Sequence, residues 1–220
     1  MGKEKTKIKA VLFDMDGVLL DSERFITLAG MEMFREKGFT VKFEDFKEFT
    51  GMGENRFLGG VAEKYGIPFE VEKDKSRAYE IYANIVKGEL EPLPGVNEFI
   101  AKCREKGLKI AVATSADRIK MQINLSEIGL SEQVFDVTVN GMEVTHKKPD
   151  PEIFITAAGK LGVEPAFCLV VEDAVSGLRA AKSAGCKCLT LTTSFKASDF
   201  KGSDWIACDL SEAPDACLNW

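Results

Sequence analysis

Short apolar runs that recur between polar turns constrain this 220-residue chain more than any other feature. Residues 8–13, 108–114, 134–139, 168–172 and 188–191 are nearly continuous in apolar character and too short for independent buried helices. Runs of that kind read as strands covered on both faces, the pattern of a parallel sheet. Between the later runs the period changes to that of a helix: 96–106 after Pro94-Gly95, 119–128 before Gly129, 151–161 before Gly162, and 177–184 before Gly185. Strands that alternate with helices imply right-handed crossovers, and hence an α/β fold with helices on both faces of the sheet.

One segment breaks the alternation. From residue 22 to residue 91 there is no buried-strand run, and helical periodicity appears instead at 23–37, 43–49, 54–65 and 75–87. The returning segment, Glu89-Leu90-Glu91-Pro92-Leu93-Pro94-Gly95, is the most proline-rich stretch of the chain and suits a stiff hinge. Residues 1–20 and 92–220 are therefore expected to form the α/β core, with 21–91 as a helical domain inserted after the first strand.

The net charge of −6, with no block of Lys or Arg, gives a surface that repels nucleic acid and anionic membranes. No apolar run approaches the ~18 residues that span a bilayer, and the charged start has no apolar signal region behind it. The expected setting is cytoplasmic, and the expected partner is a small molecule rather than nucleic acid or membrane. The six cysteines form no CxxC pair, and His146 alone is available to complete a zinc site, so buried reduced thiols are expected. His146 itself reads as a loop residue. Nothing in the sequence bears on oligomeric state.

In parallel sheets, ligands bind beyond the carboxyl ends of the strands, so the polar residues there are the candidates for chemistry. The first strand ends in Asp14-Met15-Asp16-Gly17. One such carboxylate can attack and the other move a proton, although an isolated Asp-Gly pair is more often a turn. Glu172-Asp173 ends a later strand, and two acidic pairs facing one crevice repel unless a cation lies between them, which points to Mg²⁺. Thr114-Ser115, ahead of a helix, offer hydroxyls and free N–H groups to a phosphate, or simply cap the helix. Lys148, between Lys147 and Pro149, can place an ammonium against a carboxylate or phosphoryl oxygen, or lie solvated in its loop.

Taken together, these four sets resemble the motifs of the haloacid dehalogenase superfamily, in particular its β-phosphoglucomutase-like phosphatase branch. They occur in the family's order and spacing over roughly residues 8 to 190, and the helical insertion is similar to the family's four-helix cap. The resemblance implies a Rossmann-like core with that cap, and a Mg²⁺-dependent phosphatase of small phosphorylated metabolites, sugar phosphates foremost. It implies Asp14 as the nucleophile that becomes an aspartyl-phosphate and Asp16 as the general acid and base. Thr114, Ser115 and Lys148 would hold the phosphoryl group, and Asp14, the Asp16 carbonyl, Glu172 and Asp173 would hold Mg²⁺. The family's dehalogenases lack the second aspartate, because a halide leaving group needs no proton. The loop Thr50-Gly51-Met52-Gly53-Glu54-Asn55-Arg56 matches the cap loop that enters the site, so Thr50, Gly51, Glu54 and Arg56 are candidate substrate contacts. Arg56 could hold a distal anion or be a solvated helix arginine.

The chain also departs from β-phosphoglucomutase. Ile26 stands where that enzyme has a cap histidine, and Ala116 and Asp117 stand where it has the serine and lysine that grip a second phosphate. These differences favour hydrolysis over a sugar phosphomutase. A non-catalytic binding module on the same fold is disfavoured because Asp14 is present.

Overall fold

The computed structural model describes residues 8–49 and 53–220. Six strands form one parallel sheet: β1 (Ala10–Phe13), β2 (Lys109–Ala113), β3 (Val137–Val139), β4 (Cys168–Glu172), β5 (Lys187–Leu191) and β6 (Trp205–Ala207), in the order β3-β2-β1-β4-β5-β6. β1 lies between β2 and β4, with Phe13 opposite both Val112 and Val171. Alternate residues of each strand enter opposite faces, as a pleat requires. Val11, Phe13, Ile110, Val112, Leu169 and Val171 pack on one side with Phe99 and Cys103 of α4 (Val96–Glu105) and Met121 and Leu125 of α5 (Arg118–Glu127). Leu12, Ala111, Ala113 and Val170 pack on the other with Phe154 of α6 (Glu152–Leu161) and Leu178 of α7 (Val175–Ser183). Both faces are thus covered, which is why the runs carry almost no polar residue.

Between β1 and α4 the chain forms α1 (Glu23–Glu36), a 3₁₀ turn (Phe43–Phe49), α2 (Glu54–Tyr65) and α3 (Val71–Ile85). α1 packs along α3, and the 3₁₀ turn packs against α2. The two connecting segments run side by side, the Leu93 N–H donating to the Leu19 carbonyl at 2.9 Å.

Two local expectations are corrected, and one strand lies outside them. Residues 43–49 wind as 3₁₀ rather than α-helix, because Phe43, Phe46 and Phe49 are spaced by three, the period that places them on one face of that tighter helix. α3 starts four residues earlier than its periodicity suggests, at Val71. β6 had no sequence signal: Trp205-Ile206-Ala207 is three residues long and only Ala207 is buried. All six cysteines are free, five of them buried and Cys208 exposed. No helix among the described residues is long and apolar enough to cross a membrane.

Candidate active site

The register of the central strands assembles the site. Asp14 follows Phe13 at the end of β1, one step beyond the Phe13–Val171 pairing, and so stands level with Glu172 at the end of β4. Lys148, from the loop before α6, reaches in between: its Nζ donates to Asp14 Oδ1 and to Glu172 Oε1, each at 2.6 Å. The second oxygen of Glu172 accepts from the N–H groups of Asp173 (2.9 Å) and Ala174 (2.8 Å), so this buried carboxylate has both ends fixed. Asp173 accepts from the Ser194 hydroxyl. Gly17 is required where it stands: its φ is +76°, and a Cβ there would lie 2.0 Å from Asp173 Oδ2.

Burial dominates the electrostatics. It pushes the Asp14 carboxyl up to about 7, Lys148 opposing and Glu172 adding to the rise. Burial, then the charges of Glu172 and Asp14, hold Asp173 well above the usual carboxylate range. For Lys148, burial works against the ammonium, but Asp14 and Glu172 outweigh it and the group stays charged. One ammonium among three carboxylates leaves the cluster short of positive charge. Asp14, Glu172 and Asp173 each offer an oxygen, and these oxygens lie within 4.8 Å of one another. Hard oxygen donors gathered this closely, with negative charge uncompensated, fit a divalent cation such as Mg²⁺.

Asp16 is held differently. It accepts from Lys120 Nζ at 2.8 Å and, on its other oxygen, from the Ser22 hydroxyl. Asn124, one turn beyond Lys120 on α5, donates to Ser22 Oγ at 3.2 Å, and the Tyr82 hydroxyl of α3 hydrogen-bonds to Asn124 in turn. Thr114 and Ser115 follow β2 and line the same cavity as Asp14, Asp16, Lys148, Glu172 and Asp173. The Thr114 hydroxyl oxygen accepts from the Ala116 N–H at 3.1 Å. Asp117 faces the insertion, paired with Lys75 of α3 at 2.8 Å.

The insertion supplies the cavity's remaining wall, with Glu23, Ile26, Gly53, Glu54 and Phe57. Thr50 and Gly51 lie outside the described residues. Glu54, the first residue of α2, is buried and lines the cavity, its Oε1 3.8 Å from Lys120 Nζ. Burial lifts its carboxyl above the ordinary range, with Lys120 pulling it back. Arg56 does not line this cavity: it pairs with Glu63 at 2.6 Å and lies 5.0 Å from the Phe49 ring centroid. Two residues along a helix is roughly a 200° rotation, so Arg56 faces away from Glu54 while Phe57, three residues on, shares its face. That phase was available in the sequence. Lys120 and Ser22 were not singled out there, because their meeting at Asp16 depends on how α5 packs beneath the insertion.

A sequence profile of haloacid dehalogenase-like hydrolases matches residues 8–185. The chain belongs to this family. The hydrolase is 43% identical over 198 residues to Protein SUPPRESSOR OF QUENCHING 1, chloroplastic, of Arabidopsis thaliana; the match covers 89% of this chain and 19% of that much longer protein. It is 35% identical over 178 residues to the phosphorylated carbohydrates phosphatase of Thermotoga maritima, covering 81% of this chain and 82% of that one. The crystal structure of CbbY from Rhodobacter sphaeroides in complex with xylulose-(1,5)bisphosphate superposes with a TM-score of 0.87 at 26% identity, over 97% of this chain and 100% of that one. The hydrolase therefore has the expected α/β core and the expected superfamily membership.

Proposed function

We propose that this hydrolase is a Mg²⁺-dependent phosphatase of small phosphorylated metabolites, sugar phosphates foremost, acting through an aspartyl-phosphate on Asp14. The observation that carries the reading is the juxtaposition of Asp14 with Lys148, Glu172 and Asp173, and of a second aspartate, Asp16, in the same cavity. In this reading residues 1–20 and 92–220 are the core, and 21–91 are a cap that covers the leaving group.

The roles follow from position and charge. Asp14 attacks phosphorus as a carboxylate, while Lys148 beside it offsets the repulsion between the attacking anion and the ester. Thr114 and Ser115 hold the non-bridging oxygens through the hydroxyl and the N–H groups that precede α5. Asp16 gives its proton to the departing ester oxygen and then takes one from the water that attacks the aspartyl-phosphate, which restores Asp14 and releases inorganic phosphate. Bound at Asp14, Asp173 and the Asp16 carbonyl, with Glu172 behind them, Mg²⁺ would supply the positive charge that the cluster lacks. The cap's part is to exclude bulk water and contact the leaving group.

Hydrolysis is favoured over phosphomutase chemistry by the residues after β2: Ala116 has no donor side chain, and Asp117 is an anion committed to Lys75. The test is inorganic phosphate release from a panel of sugar monophosphates, with Mg²⁺ and with EDTA. Mg²⁺-dependent release is expected, along with little conversion of β-glucose 1-phosphate to glucose 6-phosphate. Failure to cleave any ester, or full activity in EDTA, would overturn the assignment.

A further inference from the structure

The Asp14 carboxylate and its neighbours are supplied with partners, but the wall that the segment after β1 adds to the cavity contains a group without one. Glu54 is only 7% exposed, yet it forms part of the cavity wall. Its Oε2 is buried and has no hydrogen-bond partner among the described residues. Lys120 does not satisfy it: the ammonium is 3.8 Å from the other oxygen, beyond hydrogen-bond reach, and is bound to Asp16 at 2.8 Å. A buried carboxylate oxygen without a donor is costly and uncommon in a folded protein, and because Glu54 lines the cavity, a molecule that fills the cavity is the source of a donor for it.

The surroundings restrict what that donor can be. Ile26, Phe57 and Ala116 give the cavity apolar surface against which a carbon skeleton can lie. Among the described residues, the cations that line the cavity are Lys120 and Lys148, and both are held by carboxylates. A second phosphate placed beside Glu54 would face its carboxylate, and the nearby Lys120 ammonium is already bound to Asp16. Like charges brought together in a desolvated site are strongly unfavourable.

We propose that Glu54 is a specificity-determining residue: its unpartnered oxygen accepts a hydrogen bond from a hydroxyl of the leaving group and rejects a second phosphate. The preferred substrates are then monophosphates of neutral polyols, not bisphosphates. This rests on the phosphatase reading and sets the hydrolase apart from the CbbY structure that holds xylulose-(1,5)bisphosphate.

The test compares kcat/KM for glucose 6-phosphate against glucose 1,6-bisphosphate, and for xylulose 5-phosphate against xylulose 1,5-bisphosphate, with p-nitrophenyl phosphate alongside. The wild type should prefer each monophosphate by about tenfold or more, and Glu54→Gln, which removes the charge and keeps the shape, should reduce that ratio by about tenfold. A wild-type preference for the bisphosphates overturns the proposal. So does an unchanged ratio in Glu54→Gln that melts like the wild type. The wild-type ratio needs no variant, so a Glu54→Gln chain that fails to fold leaves the test standing. No release from any ester, p-nitrophenyl phosphate included, removes the phosphatase reading and this inference together, whereas release combined with the wrong ratio removes the inference alone.

Discussion

Gly177→Ala tests how tightly the acidic cluster is built. Gly177 lies in the first turns of α7, where alanine would ordinarily strengthen a helix by roughly 0.5–1 kcal/mol. Here a Cβ would lie 1.8 Å from Glu172 Oε1 and 1.9 Å from its Cδ. To regain ordinary contact at about 3.4 Å, the carboxylate must retreat by roughly 1.6 Å. It cannot do so and keep the 2.6 Å bond to Lys148 together with the 2.8 and 2.9 Å bonds from Ala174 and Asp173. Breaking a buried ion pair on one side costs about 3–5 kcal/mol, which the helix gain only partly offsets. At roughly 2–4 °C per kcal/mol for a chain of this size, the melting temperature should fall by about 10 °C. Turnover of p-nitrophenyl phosphate should fall by about 10² or more, since displacements near 1 Å misalign the reacting groups. Gly159→Ala in α6 is the control, because nothing lies within 4 Å of a Cβ there. Thermal and urea unfolding of the two variants side by side would refute the reasoning if Gly177→Ala proved as stable as Gly159→Ala.

Three further outcomes are expected. Asp16→Asn should lose roughly 10²–10⁴ in kcat for alkyl phosphates and much less for p-nitrophenyl phosphate, whose leaving group needs little protonation; equal losses across a leaving-group series would remove its acid role. Arg56→Ala should change kcat/KM for large and small esters alike by less than about twofold, because an exposed pair and a ring contact on the outer face contribute little; a selective loss for the larger ester would bring Arg56 back to the substrate. Asp45 is held at about 2, below its ordinary 3.8, by hydrogen bonds from the Tyr65 hydroxyl, Lys64 and the Lys42 N–H. A depressed carboxylate stabilises the fold above its unfolded value and loses that contribution as pH falls through the folded one. The melting-temperature gap between wild type and Asp45→Asn should therefore be widest above about pH 4 and close toward pH 2. A gap that is constant with pH would contradict this.

The parts of the molecule that were legible in advance are those in which sequence neighbours share one environment. Residues such as Val11, Phe13, Val170 and Val171 are fully buried on two faces, so their strands appear as unbroken apolar runs. Asp14, Thr114, Glu172 and Asp173 were legible because parallel topology brings strand ends together whatever the packing. Lys148 was placed by its order in the chain. What escaped depended on contacts between distant segments. Lys120 reaches Asp16 across 104 residues, and the chain Tyr82–Asn124–Ser22 joins three separate elements. β6 escaped because three residues, of which only Ala207 is buried, carry no period.

The central claim is that Asp14 becomes phosphorylated. Rapid acid quench of the Mg²⁺-loaded enzyme with ³²P-labelled p-nitrophenyl phosphate tests it most directly, followed by hydroxylamine treatment and peptide mapping. The expected result is a hydroxylamine-labile phosphoryl group on the peptide that contains Asp14, and neither label nor turnover in Asp14→Asn. Label on a different residue, or turnover by Asp14→Asn at the wild-type rate, would contradict it.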